Sequence, residues 1–374
     1  MQTVSANDKG SVLVIGAGVS GLTTALCLRR EGFRVTVVAE KFDRDIVSTV
    51  AGVLWEWPPA VCGHREDERS PERSKRWCMT SYEEFFHLAR VPGTGVFVRP
   101  AVFYFREPLE QNPRELRKMN ELRRQVLGFA HDPGLIERNR VSAEAGVEDA
   151  YTYLAPMIDT DTYLQWLMRE VRAAGCVVQR RRISGNLQDR EWELRYEFGA
   201  DLIVNCTGLG AAELTGDELR PLRCALVRVH NDGHAMPKIT EAHAVSHDPG
   251  RTEQGTVFIL PTGDDMLVLG GLVEADEWDL DVGLGNHGPV REMLRRCEEF
   301  LPVLQRAEID VFDPVRVGLQ PFRGQNARVE QHTGTRIIHN YGHGGSGVTF
   351  SWGCAAEVVG LAEEALSDTS EAAA

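Results

Sequence analysis

An α/β fold, doubly wound around a parallel sheet and interleaved with a second, mostly antiparallel sheet, is what the 374-residue sequence predicts. Three observations predict it. A β-branched run, Ser11–Ile15, feeds a glycine-rich turn and a helix-forming stretch, 22–30, which Gly32 ends before a second buried strand, Arg34–Ala39. Strand-like runs then crowd the region 223–272, and a second glycine run at 342–347 opens a long closing helix. The first of these is a β-α-β unit, expected to be parallel and right-handed.

The remaining elements follow in order. The spacing of Trp77, Tyr82, Phe85 and Phe86 predicts a helix over 70–89, and residues 95–105 read as two consecutive strands. In the charged stretch 113–127, Leu116, Met119, Leu122 and Val126 recur at helical spacing, which predicts a solvated helix packed by one stripe. Residues 163–174 form an amphipathic helix, 177–183 and 192–198 read as strands, and 201–205 returns to the central sheet. Residues 223–229, 256–260 and 266–272 are strand-like, the last two joined as a hairpin across 262–265. Residues 292–300 are helical, 336–339 a short strand, 347–366 the closing helix and 367–374 a frayed tail.

Composition narrows the function. Forty-one Lys and Arg against fifty-five Asp and Glu give a net charge of −14, which argues against a nucleic-acid-binding surface. The eight cysteines are scattered without a C-x-x-C pair, so buried thiols in a reducing, cytoplasmic compartment are expected. Cys62 and His64 lack a second ligand pair at metal-binding spacing, so no metal site is assigned. The N-terminal segment is polar and the apolar run after it is short and broken by glycine, so no signal peptide or membrane span is expected.

The turn Gly16-Ala17-Gly18-Val19-Ser20-Gly21 lies between a strand and a helix. Gly16 permits the tight turn, Gly18 lets a pyrophosphate approach the backbone and Gly21 lets helix and strand pack closely. Amides and dipole at the helix start favour phosphate. Glu40, at the end of the second strand with Lys41 beside it, is placed to accept from adenosine ribose hydroxyls. A large flavin must be held at several places, and three more suit it. They are the small-residue loop Ser48-Thr49-Val50-Ala51-Gly52-Val53-Leu54-Trp55, the strand end Thr207-Gly208, and the run His343-Gly344-Gly345-Ser346-Gly347-Val348-Thr349. The last opens a helix whose N-terminus, directed at the flavin, would stabilise negative charge on the reduced ring.

These segments, with 154–166 and the run from His339 to Ala355, resemble the D-amino-acid oxidase and D-aspartate oxidase family in the same order along nearly the whole chain. The resemblance implies non-covalent FAD, with Ile183 also at the cofactor, and a discontinuous FAD-binding domain (1–60, 150–222, 330–374) interleaved with a substrate domain (61–149, 223–329). It also implies the chemistry: hydride passes from the carbon of a neutral amine to flavin N5, the imine hydrolyses, and O2 reoxidises the flavin to give peroxide. A small amine or amino-acid-like substrate follows, and a homodimer is compatible with it. The cofactor carries the chemistry and no dedicated acid or base is required.

Three positions depart from the family. Its carboxylate-binding arginine, in a segment of the form G-x-R-P, is here Gln320, and a neutral amide does not replace a charged fork. A tyrosine that hydrogen-bonds the same carboxylate is here Phe258, and the glutamine after Trp55 is here Glu56, which could attract an ammonium. Arg251, in a loop where the family carries another tyrosine, is one candidate replacement anchor and Arg323 a less obvious one; Gly345 also borders the substrate. Together the changes point to an amine whose carboxylate is absent, masked or differently placed. The alternatives are a true D-amino-acid or D-aspartate oxidase with a relocated arginine, and a flavin-binding protein without turnover.

Overall fold

The computed structural model describes residues 9–42, 46–50, 52–57, 69–245 and 256–372. Two sheets organise them. The smaller has six strands in the order Arg328–Gln331, Ile337–Tyr341, Leu202–Asn205, Ser11–Ile15, Arg34–Ala39 and Val177–Arg180, parallel except for the first. Its central strands are buried apolar runs, as a sheet covered on both faces requires. The helices Val19–Arg30 and Gly347–Ala372 cover one face, and Leu187–Phe198 packs on the other.

The larger sheet has eight strands in the order Val315–Arg323, Leu219–His230, Met266–Ala275, Phe258–Thr262, Ala242–Val245, Val96–Phe105, Asp149–Ile158 and Val53–Leu54, with Ala130–His131 as a ninth paired to Asp149–Ile158. All its pairs are antiparallel except Ala242–Val245 with Val96–Phe105. One face buries Val227, Ile259 and Leu269 against the helix Gly288–Phe300. The other joins the main core, where Tyr153, Phe103, Leu260 and Val268 meet the helix Arg69–Leu88 and the smaller sheet's helices. The α/β class and the two-sheet arrangement are as the sequence predicts, and the chain passes between the sheets several times.

Four local expectations are corrected. Residues 192–198, read as a strand from their aromatic content, belong to the helix Leu187–Phe198. Asn186 caps its start by accepting from the Gln188 amide, Gly199 ends it in the left-handed region, and Trp192 stacks on Tyr196 one turn on. Residues 95–105 make one strand, Val96–Phe105, not two. Pro100 is accommodated because the parallel neighbour pairs only from Ala101 onward, leaving that side of Pro100 without a ladder to break. The strand over 177–183 stops at Arg180, and the closing helix runs through the expected tail to Ala372.

Three histidines are buried and held neutral. Burial brings His243 down to about 4 and His343 to about 4, and burial with nearby Arg328 and His332 brings His339 to about 3. Tyr104 fits a neutral His243: its hydroxyl accepts from Asn139 and lies 3.0 Å from His243 Nδ1, to which it can donate. In the unfolded chain these groups protonate near 6.5. Between about pH 4 and 6.5 the unfolded state therefore binds protons that the folded state does not. Stability is full above that window and is expected to fall through it, at up to about 1.4 kcal/mol per pH unit for each histidine. Urea midpoints at pH 7 and pH 5 check this, and His243→Gln should flatten the slope; equal midpoints would contradict it.

Candidate active site

Four loops converge at the carboxyl ends of the smaller sheet, where open α/β folds bind their ligands. In the first, Gly16 has φ +113°, its amide donates to Val38 O at 2.8 Å, and a Cβ there would overlap the carbonyl of Cys206. A Cβ on Gly21 would overlap the carbonyl of Gly16, so this helix and strand approach only because neither glycine has a side chain. Gly18 precedes the helix without a side-chain cap, and a methyl there would stand 3.2 Å from Ser48 Oγ. Ser48 Oγ accepts from the Val19 amide at 3.2 Å, which brings the second loop to the helix start. The third, Thr207-Gly208, abuts Gly16 through Cys206; Thr207 turns its hydroxyl inward to Asn205 Oδ1 at 2.7 Å. The fourth approaches where Gly347 meets Val19: a methyl on Gly347 would stand 4.0 Å from Val19 Cγ1.

Glu40 and Lys41 are exposed just past the second strand, Glu40 with Arg182 at 3.7 Å. Ala17 and Val19 are buried, Ser20 half-buried, and Ile183 packs under Leu13, Ile15 and Val38. Thr49 belongs to the single turn Val47–Thr49, and Val53–Leu54 pairs with Met157 and Ile158. Gly344 takes φ +54° in the turn Gly344–Ser346, and Ser346, Val348 and Thr349 are buried at the start of the closing helix. Ala51, Arg251, Cys62 and His64 lie outside the described residues. The glycine cradle and the helix start without a side-chain cap at Gly18 fit a dinucleotide phosphate, and the residues that could hold FAD are those of the four loops with Glu40.

The larger sheet packs against these loops through Val315–Arg323. Gln320 Oε1 lies 3.1 Å from where a Cβ on Gly345 would stand, so this side chain faces the fourth loop. A methyl on Gly52 would stand 3.1 Å from Leu226 and from Val268 and 3.4 Å from Phe258, giving an apolar wall beside the second loop. Arg323 is fully engaged: Nε donates to Asp217 at 2.8 Å, Nη1 to Asn326 O at 2.8 Å and Nη2 to Gln325 Oε1 at 2.9 Å. Burial pushes the Asp217 carboxyl up, but hydrogen bonds from Arg323 and Tyr341 and the charge of Arg328 outweigh it and hold it below its ordinary value. Arg323 therefore has an acidic partner of its own.

Glu56 is also partnered, by Lys118 of the helix Pro113–Leu122 at 2.7 Å. Burial alone would lower the Lys118 ammonium, yet Glu56 and neighbouring acids reverse this and raise it, so Lys118 stays charged. Glu56→Gln should leave that half-buried ammonium short of a counter-charge and lower unfolding stability by about 1–3 kcal/mol. Urea titration checks this, and an unchanged midpoint would show that the pair is not stabilising. Sequence reading found neither Lys118 nor Arg316, which holds the second loop from the opposite sheet; both partnerships join residues far apart in the chain. Among the described residues no group of three or more His, Cys, Asp and Glu is arranged to hold a metal ion, and no helix is long and apolar enough to cross a membrane.

The β-α-β glycine turn, the converging loops and the second sheet across them define a dinucleotide-binding oxidoreductase fold. The chain belongs to the FAD dependent oxidoreductase family, whose model matches residues 11–361. It is 35% identical over 361 residues to a D-amino-acid oxidase of Streptomyces coelicolor, covering 94% of this chain and 97% of that protein. It is 33% identical over 359 residues to a D-amino-acid oxidase of Rubrobacter xylanophilus, covering 95% and 96%. Among solved structures, glycine oxidase from Geobacillus kaustophilus superposes with a TM-score of 0.73 at 16% identity over 95% of each chain, which supports the fold.

Proposed function

We propose that this oxidoreductase oxidises the CH–NH bond of an amine or modified amino acid that presents no free α-carboxylate. The observation that carries the reading is Gln320 against Gly345. A carboxamide donates and accepts single hydrogen bonds but brings no charge to neutralise a carboxylate. Phe258 adds apolar surface in place of a hydroxyl, and the engagement of Arg323 by Asp217, Asn326 and Gln325 leaves it an unsuitable substitute.

In this reading the six-stranded sheet carries the FAD-binding domain and the larger sheet the substrate domain. FAD is held non-covalently along the four loops and, when bound, supplies a hydride acceptor. Gln320 and Gly345 orient the substrate, and Phe258, Leu226 and Val268 keep water from the reacting carbon. The start of the closing helix stabilises negative charge on the cofactor ring. The substrate leaves as an imine that hydrolyses to a carbonyl, and O2 is the electron acceptor. A cytoplasmic location is part of the same reading, supported by seven free cysteines among the described residues.

The two D-amino-acid oxidase relatives favour a second reading, a D-amino-acid oxidase whose carboxylate anchor has moved to Arg251. Anaerobic mixing of the FAD-loaded protein with D-amino acids, N-substituted amino acids, amino sugars and simple amines separates the two. Bleaching of the flavin band by a carboxylate-free or masked amine, with D-alanine and D-aspartate inert, is the result expected, and peroxide on readmission of oxygen marks an oxidase. Reduction by D-amino acids alone would establish the second reading, and no reduction by any amine would leave a flavin-binding protein without turnover.

A further inference from the structure

The strand Val315–Arg323 runs along the second and fourth loops, and its alternate residues turn to the same side. Gln320 faces Gly345, a methyl on Gly318 would stand 3.0 Å from Val50 Cβ, and Arg316 reaches the second loop. Arg316 makes three contacts to three separate segments. Its Nε donates to Asp313 at 2.7 Å, its Nη2 to Asp161 at 2.5 Å and its Nη1 to the carbonyl of Thr49 at 3.3 Å. Thr160 Oγ1 donates to the same carbonyl at 2.8 Å. Thr160 and Asp161 open the helix Thr160–Ala173, which packs on the glycine-turn helix. One residue before Thr49, Ser48 receives the Val19 amide of that helix.

We propose that Arg316 is a positioning residue that sets the FAD site from the substrate side. By holding the Thr49 carbonyl it fixes the Ser48–Thr49 turn against the helix start that takes the phosphate. A single 3-10 turn has too few internal hydrogen bonds to fix its own orientation, so outside contacts decide where Ser48 stands. The guanidinium suits the task because its three nitrogens reach Asp161, Asp313 and a carbonyl at once, whereas a lysine is a point charge on a flexible stem. Half-burial of the Arg316–Asp161 pair shields it from the screening that weakens exposed pairs. The same strand carries Gln320, so the residue facing substrate and the residue holding the cofactor turn share one backbone. The inference rests on FAD lying along these loops, as proposed above.

Titration of the apoprotein with FAD, followed by flavin fluorescence, tests it without any substrate. Arg316→Gln should raise the FAD Kd about tenfold or more, and Arg316→Lys should recover part of the loss. Ser48→Ala should weaken FAD as well. Because both residues act through one turn, the double variant Arg316→Gln/Ser48→Ala should stay within about twofold of Arg316→Gln alone. The visible circular dichroism of bound flavin at saturating FAD should also change in Arg316→Gln. An unchanged Kd with only a lowered melting temperature, or a double variant whose effects multiply, would overturn the proposal and leave a plain structural clip. Should Arg316→Gln not fold, Asp161→Asn, which removes one anchor, should give the same pattern in smaller measure, and its absence there would overturn the proposal equally. A wild-type chain that takes up no FAD would overturn the cofactor placement itself, and this inference with it.

Discussion

Replacing Gln320 with arginine is expected to raise kcat/KM for D-alanine by about 10- to 100-fold, the equivalent of the roughly 1.5–3 kcal/mol that hydrogen bonds to a charged group contribute. The backbone of Val315–Arg323 already aims this position at Gly345. A guanidinium would supply both the charge and the bidentate geometry that a carboxamide lacks. Adding Phe258→Tyr should increase the gain, since it restores a hydroxyl on the adjacent wall. Turnover of a carboxylate-free amine should fall in the same variants, because a half-buried arginine without its anion is left unsatisfied. Steady-state kinetics on D-alanine and on a simple amine measures both arms. No gain on D-alanine would place the carboxylate subsite elsewhere.

Gly21→Ala is expected to weaken FAD by about a hundredfold or more. The new methyl overlaps the Gly16 carbonyl, so the helix Val19–Arg30 must move off the strand Ser11–Ile15, and the amides proposed to face the phosphate move with it. Overpacking of this kind costs roughly 1–3 kcal/mol, and the displaced anion site adds to it. Gly360→Ala in the closing helix is the control: nothing lies within 4 Å of a Cβ there, so FAD binding should be unchanged and the helix slightly more stable. The flavin-to-protein absorbance ratio after purification, with a fluorescence titration, compares the two. A Gly21→Ala protein that retains FAD at the wild-type ratio would contradict the role assigned to the turn.

How legible the fold was in the sequence varied with the range of the interactions involved. The first β-α-β unit was readable because its strand composition, three glycines and Glu40 all lie within a short stretch. The helix Leu187–Phe198 was misread because Trp192 and Tyr196 favour strands locally, while capping by Asn186 and Gly199, burial of Leu187 and Leu194, and ion pairs such as Arg195–Glu191 decide for helix. The candidate site divided in the same way. Gln320 stood out because a family motif surrounds it. The pairing of Glu56 with Lys118 and the bridge from Arg316 to Asp161 and Thr49 join segments 62, 155 and 267 residues apart, and only the folded chain brings them together. The occupation of Arg323 by Asp217 was hidden for that reason too.

The most direct test of the central claim is a matched pair in anaerobic stopped-flow: the FAD-loaded protein with D-alanine and with D-alaninamide, in which a neutral carboxamide replaces the carboxylate, compared at a pH where the α-amines of both are unprotonated. Faster flavin reduction by the amide, by about tenfold or more, is the result predicted for a site that meets its substrate with Gln320 and Phe258. Faster reduction by D-alanine would contradict it, and would mean that the chain binds a free carboxylate through a cation elsewhere than position 320.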